Sequence, residues 1–377
     1  MLGSPPDDSV RNRRSTGPQA GPPVGPQFDG GQFRPAPGPA GRGPAAPAPA
    51  ARDPRGGTDT ATRARRDEAA RSGRRALRGG SAPDPDDDLD ITDEGPELPI
   101  VPVRRMLALA IAGFSLLMAV GLVMGAQTAG VGFGRVPYAV VIFGAQLLYM
   151  FATTMAMRPP ALRVVATVGV LAAIAADVGA ILPDVPSITP LGLVAAGGLV
   201  AGVLGQMFRP QGRMRVSESL ASTVVIVLGV VSFATLIVLT RVPAGTQAIV
   251  VCLIASGIAL GVARLTDVVA PWPRLADQVP RGSAGIVLGA MLGTAAAAVI
   301  GRYMVPFTPH EAAMVGMAAA GAAVLADLTI GFAEAGRELA GDAPTMWLAR
   351  HMQGPLAGFA LAAPVAYVIS VIFLVPA

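Results

Sequence analysis

The sequence predicts an all-α fold: a polytopic membrane helix bundle of about nine transmembrane helices, preceded by a disordered N-terminal tail. Three observations carry this. The chain of 377 residues is 52% apolar and only 14% charged. Charge is concentrated in the first hundred residues, so the rest is more apolar still. Beyond the tail, apolar stretches recur at lengths that cross about 30 Å of hydrocarbon, and none alternates polar and apolar residues as a barrel strand does.

The tail, residues 1–100, comes first. Residues 1–10 lead into polar, Pro-rich sequence with no apolar segment, so no signal peptide is expected. Residues 1–50 are rich in Pro, Gly and Ala and have little to bury. Basic clusters follow at Arg63, Arg65, Arg66 and at Arg71, Arg74, Arg75, Arg78. An acidic run succeeds them: Asp84, Asp86, Asp87, Asp88, Asp90, Asp93, Glu94 and Glu97. The basic run suits attraction to anionic lipid heads, worth about 1 kcal/mol per Arg near the surface. The competing expectation is a solvated linker in which the two runs partly cancel. A cytoplasmic protein partner is expected to dock, if anywhere, on this tail; no nucleic-acid partner is expected.

The membrane domain, residues 101–377, reads as nine spans: 106–126, 136–157, 161–182, 190–208, 218–240, 246–263, 284–304, 312–335 and 356–375. The connections are short and hold the prolines, including Pro159, Pro160, Pro183, Pro210, Pro243, Pro271 and Pro306. With the tail inside, twelve loop arginines fall on the inner side: Arg104, Arg105, Arg158, Arg163, Arg209, Arg213, Arg215, Arg264, Arg274, Arg281, Arg337 and Arg350. Three fall outside: Arg135, Arg241 and Arg302. This bias fits an odd number of spans, a cytoplasmic N-terminus and an external C-terminus. The absence of lysine (all 29 basic residues are Arg) and the richness in Ala, Gly and Pro suggest a GC-rich bacterial gene and hence a bacterial plasma membrane.

Small residues recur four apart: Gly121 and Gly125, Gly198 and Gly202, Gly257 and Gly261, and Gly285, Gly289 and Gly293 with Gly301. Such strips let helices approach closely, either inside the bundle or in a homodimer. The single cysteine, Cys252, rules out an internal disulfide, and the two histidines, His310 and His351, are too few for a His-rich metal site.

The candidate polar site is assembled from Asp327, Glu334, Arg281, Arg337, Arg350 and His351. An ionisable residue at the centre of a membrane helix costs roughly 2.5–3.5 kcal/mol on insertion scales, and such residues face a bundle interior or a wet cavity. Asp327 lies deep in an apolar span. Glu334 lies two turns on, so the two carboxylates can share one face, which suits a divalent cation or a proton relay. Equally, Glu334 near its helix end can pair with Arg337. Arg350 and His351 are expected on a polar loop before the last span. Asp177, near the end of its span, is expected to reach interfacial water.

The C-terminal third resembles the bacterial CDP-diacylglycerol synthases (phosphatidate cytidylyltransferases) in layout, over about residues 250–377. Their G-D-L-x-E-S-x-x-K-R motif is matched by A-D-L from Ala326, and a later A-A-P by the one ending at Pro364. Their upstream A-S-D and S-P-K-K-S-W-E-G are laid on Ala255–Ser256–Gly257 and on Q-V-P-R-G-S-A-G from Gln278. The departures are many. Gly257 stands for the aspartate, Arg281 for the motif lysine, Ser283 and Ala284 for the tryptophan–glutamate pair. Ile330 and Gly331 replace E-S, and Glu334 and Ala335 replace K-R. Ala349, Arg350 and His351 replace H-G-G, and Gly354, Pro355, Leu356 and Ala357 replace D-R-x-D. The resemblance implies a membrane nucleotidyltransferase scaffold. Cytidylyl transfer needs metal-bound carboxylates and cations on the phosphates, and one surviving Asp does not hold two metals.

Three expectations follow. The first is a non-catalytic relative, without a cofactor, that binds membrane phospholipid or an anionic head group. The second is a proton-coupled transporter or exporter component, with Asp327 and Asp177 as relay acids. The third is a residual CTP-dependent enzyme with Mg²⁺ held by Asp267, Asp277, Asp327 and Asp342.

Overall fold

The computed structural model describes residues 104–208, 215–276, 279–305, 307–341 and 346–374. The expected tail disorder, Arg209, Arg213, Asp277 and Asp342 lie outside the described residues. Among those described, nine helices are long and apolar enough to span a membrane. They are α1 Arg105–Ala126, α2 Val136–Met157, α3 Leu162–Ile181, α4 Thr189–Met207, α5 Val216–Leu239, α6 Gly245–Val269, α7 Ser283–Gly301, α8 Pro309–Leu339 and α9 Trp347–Leu374. Helix is forced by the apolar sequence, because each backbone N–H and C=O must find its partner within the segment.

Proline marks the first turns of α2, α4 and α8, where no N–H is needed. α8 also opens with a capping box. Thr308 Oγ1 accepts from the Glu311 N–H, and Glu311 accepts from the Thr308 N–H. A small antiparallel hairpin, β1 Arg274–Ala276 and β2 Val279–Gly282, joins α6 to α7.

The helices form two groups. α1, α6, α7, α8 and α9 pack together, and α2, α3, α4 and α5 form the second group. α9 joins them by packing on α2 and α5 as well as on α6 and α8. α5 and α6 are the most buried helices, whereas α4 and α7 turn most of their surface outward. Consecutive helices run antiparallel. Gly285, Gly289 and Gly293 descend α7 against Ala263, Ala259 and Ala255 of α6 in reverse order. Gly198 and Gly202 of α4 likewise meet Val227 and Thr223 of α5. The glycine strips of α4 and α7 therefore serve packing inside the bundle, where a missing side chain brings backbones together, whereas Gly121 of α1 has nothing within 4 Å.

Helix ends differ from the sequence reading by several residues; α8 runs to Leu339 rather than to residue 335 and takes in Arg337, and two further shifts move site residues. α9 begins at Trp347, not at residue 356, so Arg350 and His351 stand on its first turns rather than on a loop. α6 continues past residue 263 to Val269, so Arg264 and Asp267 are helical. In both cases polar side chains ended the apolar run before the helix ended. Charges are tolerated there because they face one another.

Candidate functional site

At the end of the bundle where α6 stops and α7 and α9 start, four charged side chains interlock. Asp327 of α8 is 1% exposed. Its Oδ1 accepts from Arg264 Nη2 of α6 at 2.7 Å, and its Oδ2 accepts from Arg281 Nη2 of β2. Arg281, itself 2% exposed, also places Nε 3.5 Å from Asp267 Oδ2. Asp267 Oδ1 accepts the Gly282 N–H at 2.9 Å, which ties the hairpin to the last turns of α6. Arg281, Asp267 and Asp327 are thus buried together with the half-buried Arg264, each beside an opposite charge, which is the condition for burying them at all.

Two glycines make the room. A Cβ on Gly354 would lie 2.0 Å from Asp327 Oδ1, and one on Gly285 would lie 2.8 Å from Asp267 Oδ1. The guanidinium groups are not saturated: Arg281 Nη1 and Arg264 Nε are buried with no hydrogen-bond partner, and Arg281 Nε has only the 3.5 Å ion-pair approach to Asp267 Oδ2. Each guanidinium carries five N–H donors, so donors remain on both.

The remaining expected site residues form a second layer. Arg350 pairs with Glu334 and Glu338 on the last turns of α8. Arg337 donates from Nη1 to the Ala156 carbonyl at the end of α2 at 2.8 Å, bridging to the other helix group. His351 lies edge-on to Trp347, ring centroids 5.8 Å apart, within the electrostatic reach of Arg350, Arg264 and Arg104.

Several expectations are corrected. Asp327 and Glu334 do not share a ligand, because arginines from different elements take them apart. Glu334 pairs with Arg350 rather than with Arg337. Asp267, expected beyond the end of its span, is helical and a buried partner of Arg281. Asp177 does not reach interfacial water; it is 7% exposed and accepts from Gln146. Among the described residues no group of three or more His, Cys, Asp or Glu is placed to hold a metal. Arg264 was not expected in the site. Its signal was the spacing Arg264–Asp267, an opposite-charge pair three apart at the end of an apolar run.

No family model, curated protein or solved structure matches this chain.

Proposed function

We propose that this multi-pass membrane protein binds an anionic phosphate head group at the Arg264–Arg281 cluster without carrying out transfer chemistry on it. The observation that carries the reading is the unsatisfied guanidinium edge. Asp327 holds both arginines by their Nη2 atoms, and Arg281 Nη1 and Arg264 Nε are left without acceptors. Guanidinium groups bind phosphate in a planar, multidentate way. Arg104 and Arg350 lie nearby, with the Arg350 charge offset by Glu334 and Glu338. The positive-inside bias supports a cytoplasmic position for this end.

The likeness to phosphatidate cytidylyltransferases belongs to the same reading. The segments that carry it, Ala326–Asp327–Leu328 and the stretch with Arg281, meet in one cluster. Catalysis of that type would draw on Asp327 as a metal ligand, yet both its oxygens are engaged by arginine. A proton relay through Asp327 fares no better, since its charge already faces two cations and a proton would have to displace one of them.

The test uses the purified full chain in vesicles of phosphatidylcholine with or without phosphatidate. Phosphatidate should raise the thermal midpoint, and inorganic phosphate should compete. Arg264→Gln should lose the preference while remaining folded. Equal stability in both vesicles would refute the proposal. Release of cytidine-containing lipid from CTP and phosphatidate would show an enzyme instead.

A further inference from the structure

A second polar group lies in the other half of the bundle, where α2, α3 and α5 meet. Gln146 Nε2 of α2 donates to Asp177 Oδ1 of α3 and to the Val230 carbonyl of α5, each at 2.9 Å. Gln146 is completely buried, and its Oε1 has no hydrogen-bond partner. Asp177 forms no ion pair with any described residue, unlike Asp327 and Asp267.

The surroundings supply no counter-charge. α3 packs against α2, α4 and α5. From α2 come Tyr149, whose hydroxyl donates to the Val225 carbonyl at 3.0 Å, and Tyr138, whose buried hydroxyl has no partner. Arg135, before α2, points Nη1 at the Ile181 carbonyl at 3.5 Å. Arg241, after α5, donates to the carbonyls of Ala180, Pro183 and Asp184. Both arginines thus engage backbone oxygens at the end of α3. Arg163 stands at the other end of α3, and Glu218 on the first turn of α5 pairs with Arg215. α4 contributes no charged residue.

A carboxylate in apolar surroundings with one neutral N–H donor is an unmatched charge, and a cation must match it. A metal ion would need a shell of several oxygens. Here the Gln146 amide nitrogen occupies the approach to both Asp177 Oδ1 and the Val230 carbonyl. A proton needs no such shell.

We propose that Asp177 is a proton-binding site within the membrane, oriented by Gln146 and independent of the arginine cluster. On release, the O–H bond breaks, its electron pair stays on the carboxylate and the proton passes to water. The ionised form is tolerated only once water or the Arg241 guanidinium reaches it. Proton release is therefore coupled to loosening of the α2–α3–α5 contact.

Infrared difference spectroscopy of the purified full chain in lipid tests this over a pH series. The wild type should show a carboxylic-acid C=O band at neutral pH that disappears on alkalinisation. Asp177→Asn should lack the band and Asp177→Glu should shift it, which keeps the test open if the Asn variant does not fold. No such band at neutral pH would overturn the proposal. So would a band that survives to the pH of unfolding, since that acid would be structural. Loss of the band on adding sodium at constant pH would replace the proton by a metal ion and also overturn it.

Discussion

Gly354 on α9 lies against the Asp327 carboxylate so closely that a side chain on it would collide with Oδ1 at 2.0 Å. The contact is on the oxygen that receives Arg264, and α9 can reach α8 here only because position 354 has no Cβ. Gly354→Ala should therefore displace the carboxylate or the helix and cost about 1–3 kcal/mol, the range for overpacking. Thermal unfolding in detergent reads the loss. An unchanged midpoint would show that the helices part without penalty.

Asp327 is the hub of the cluster, so its removal leaves the buried Arg281 and the half-buried Arg264 without the carboxylate between them. Asp327→Asn should cost about 3–5 kcal/mol, as breaking a buried ion pair does. The pairs of Arg350 with Glu334 and Glu338 are more accessible. Glu338→Gln should cost at most about 1 kcal/mol. Equal losses in the two variants would mean that the buried cluster contributes no more than a surface pair.

The fold was legible because the membrane imposes it. Spans such as 136–157 need no tertiary information, only length and apolarity, and the helix α2 matches that span. Asp327 was legible for the same reason, since a lone acid in an apolar run is conspicuous. Its partners were not. Arg264 and Asp267 sit beyond the last apolar residue of their span, and Arg281 lies on a hairpin whose fold-back no periodicity announces. The Gln146–Asp177 contact joins residues on adjacent helices, and the sequence carries their presence but not the helix rotation that brings them together.

The glycine strips make a contrast between buried and open positions. A Cβ on Gly289 would sit 2.4 Å from the Ala259 carbonyl oxygen, whereas Gly121 has nothing within 4 Å. Gly289→Ala should cost about 1–3 kcal/mol. Gly121→Ala should be neutral or gain up to about 1 kcal/mol from helix propensity. Should Gly121→Val change the oligomeric state in detergent, that strip is an interface between copies rather than a lipid-facing surface.

Orientation can be read with single cysteines, because the native Cys252 is completely buried and should not react with a membrane-impermeant maleimide. Ser217 precedes the bulk of α5 at the arginine-rich end and is exposed. Val185 lies in the connection between α3 and α4 at the opposite end and is 71% exposed. The arginine asymmetry expects Val185→Cys to label in intact cells and Ser217→Cys only after permeabilisation. The reverse pattern would put the Arg264–Arg281–Asp327 cluster on the outer face. Its anionic ligand would then have to come from the external leaflet, and the reading of this end as cytoplasmic would fall.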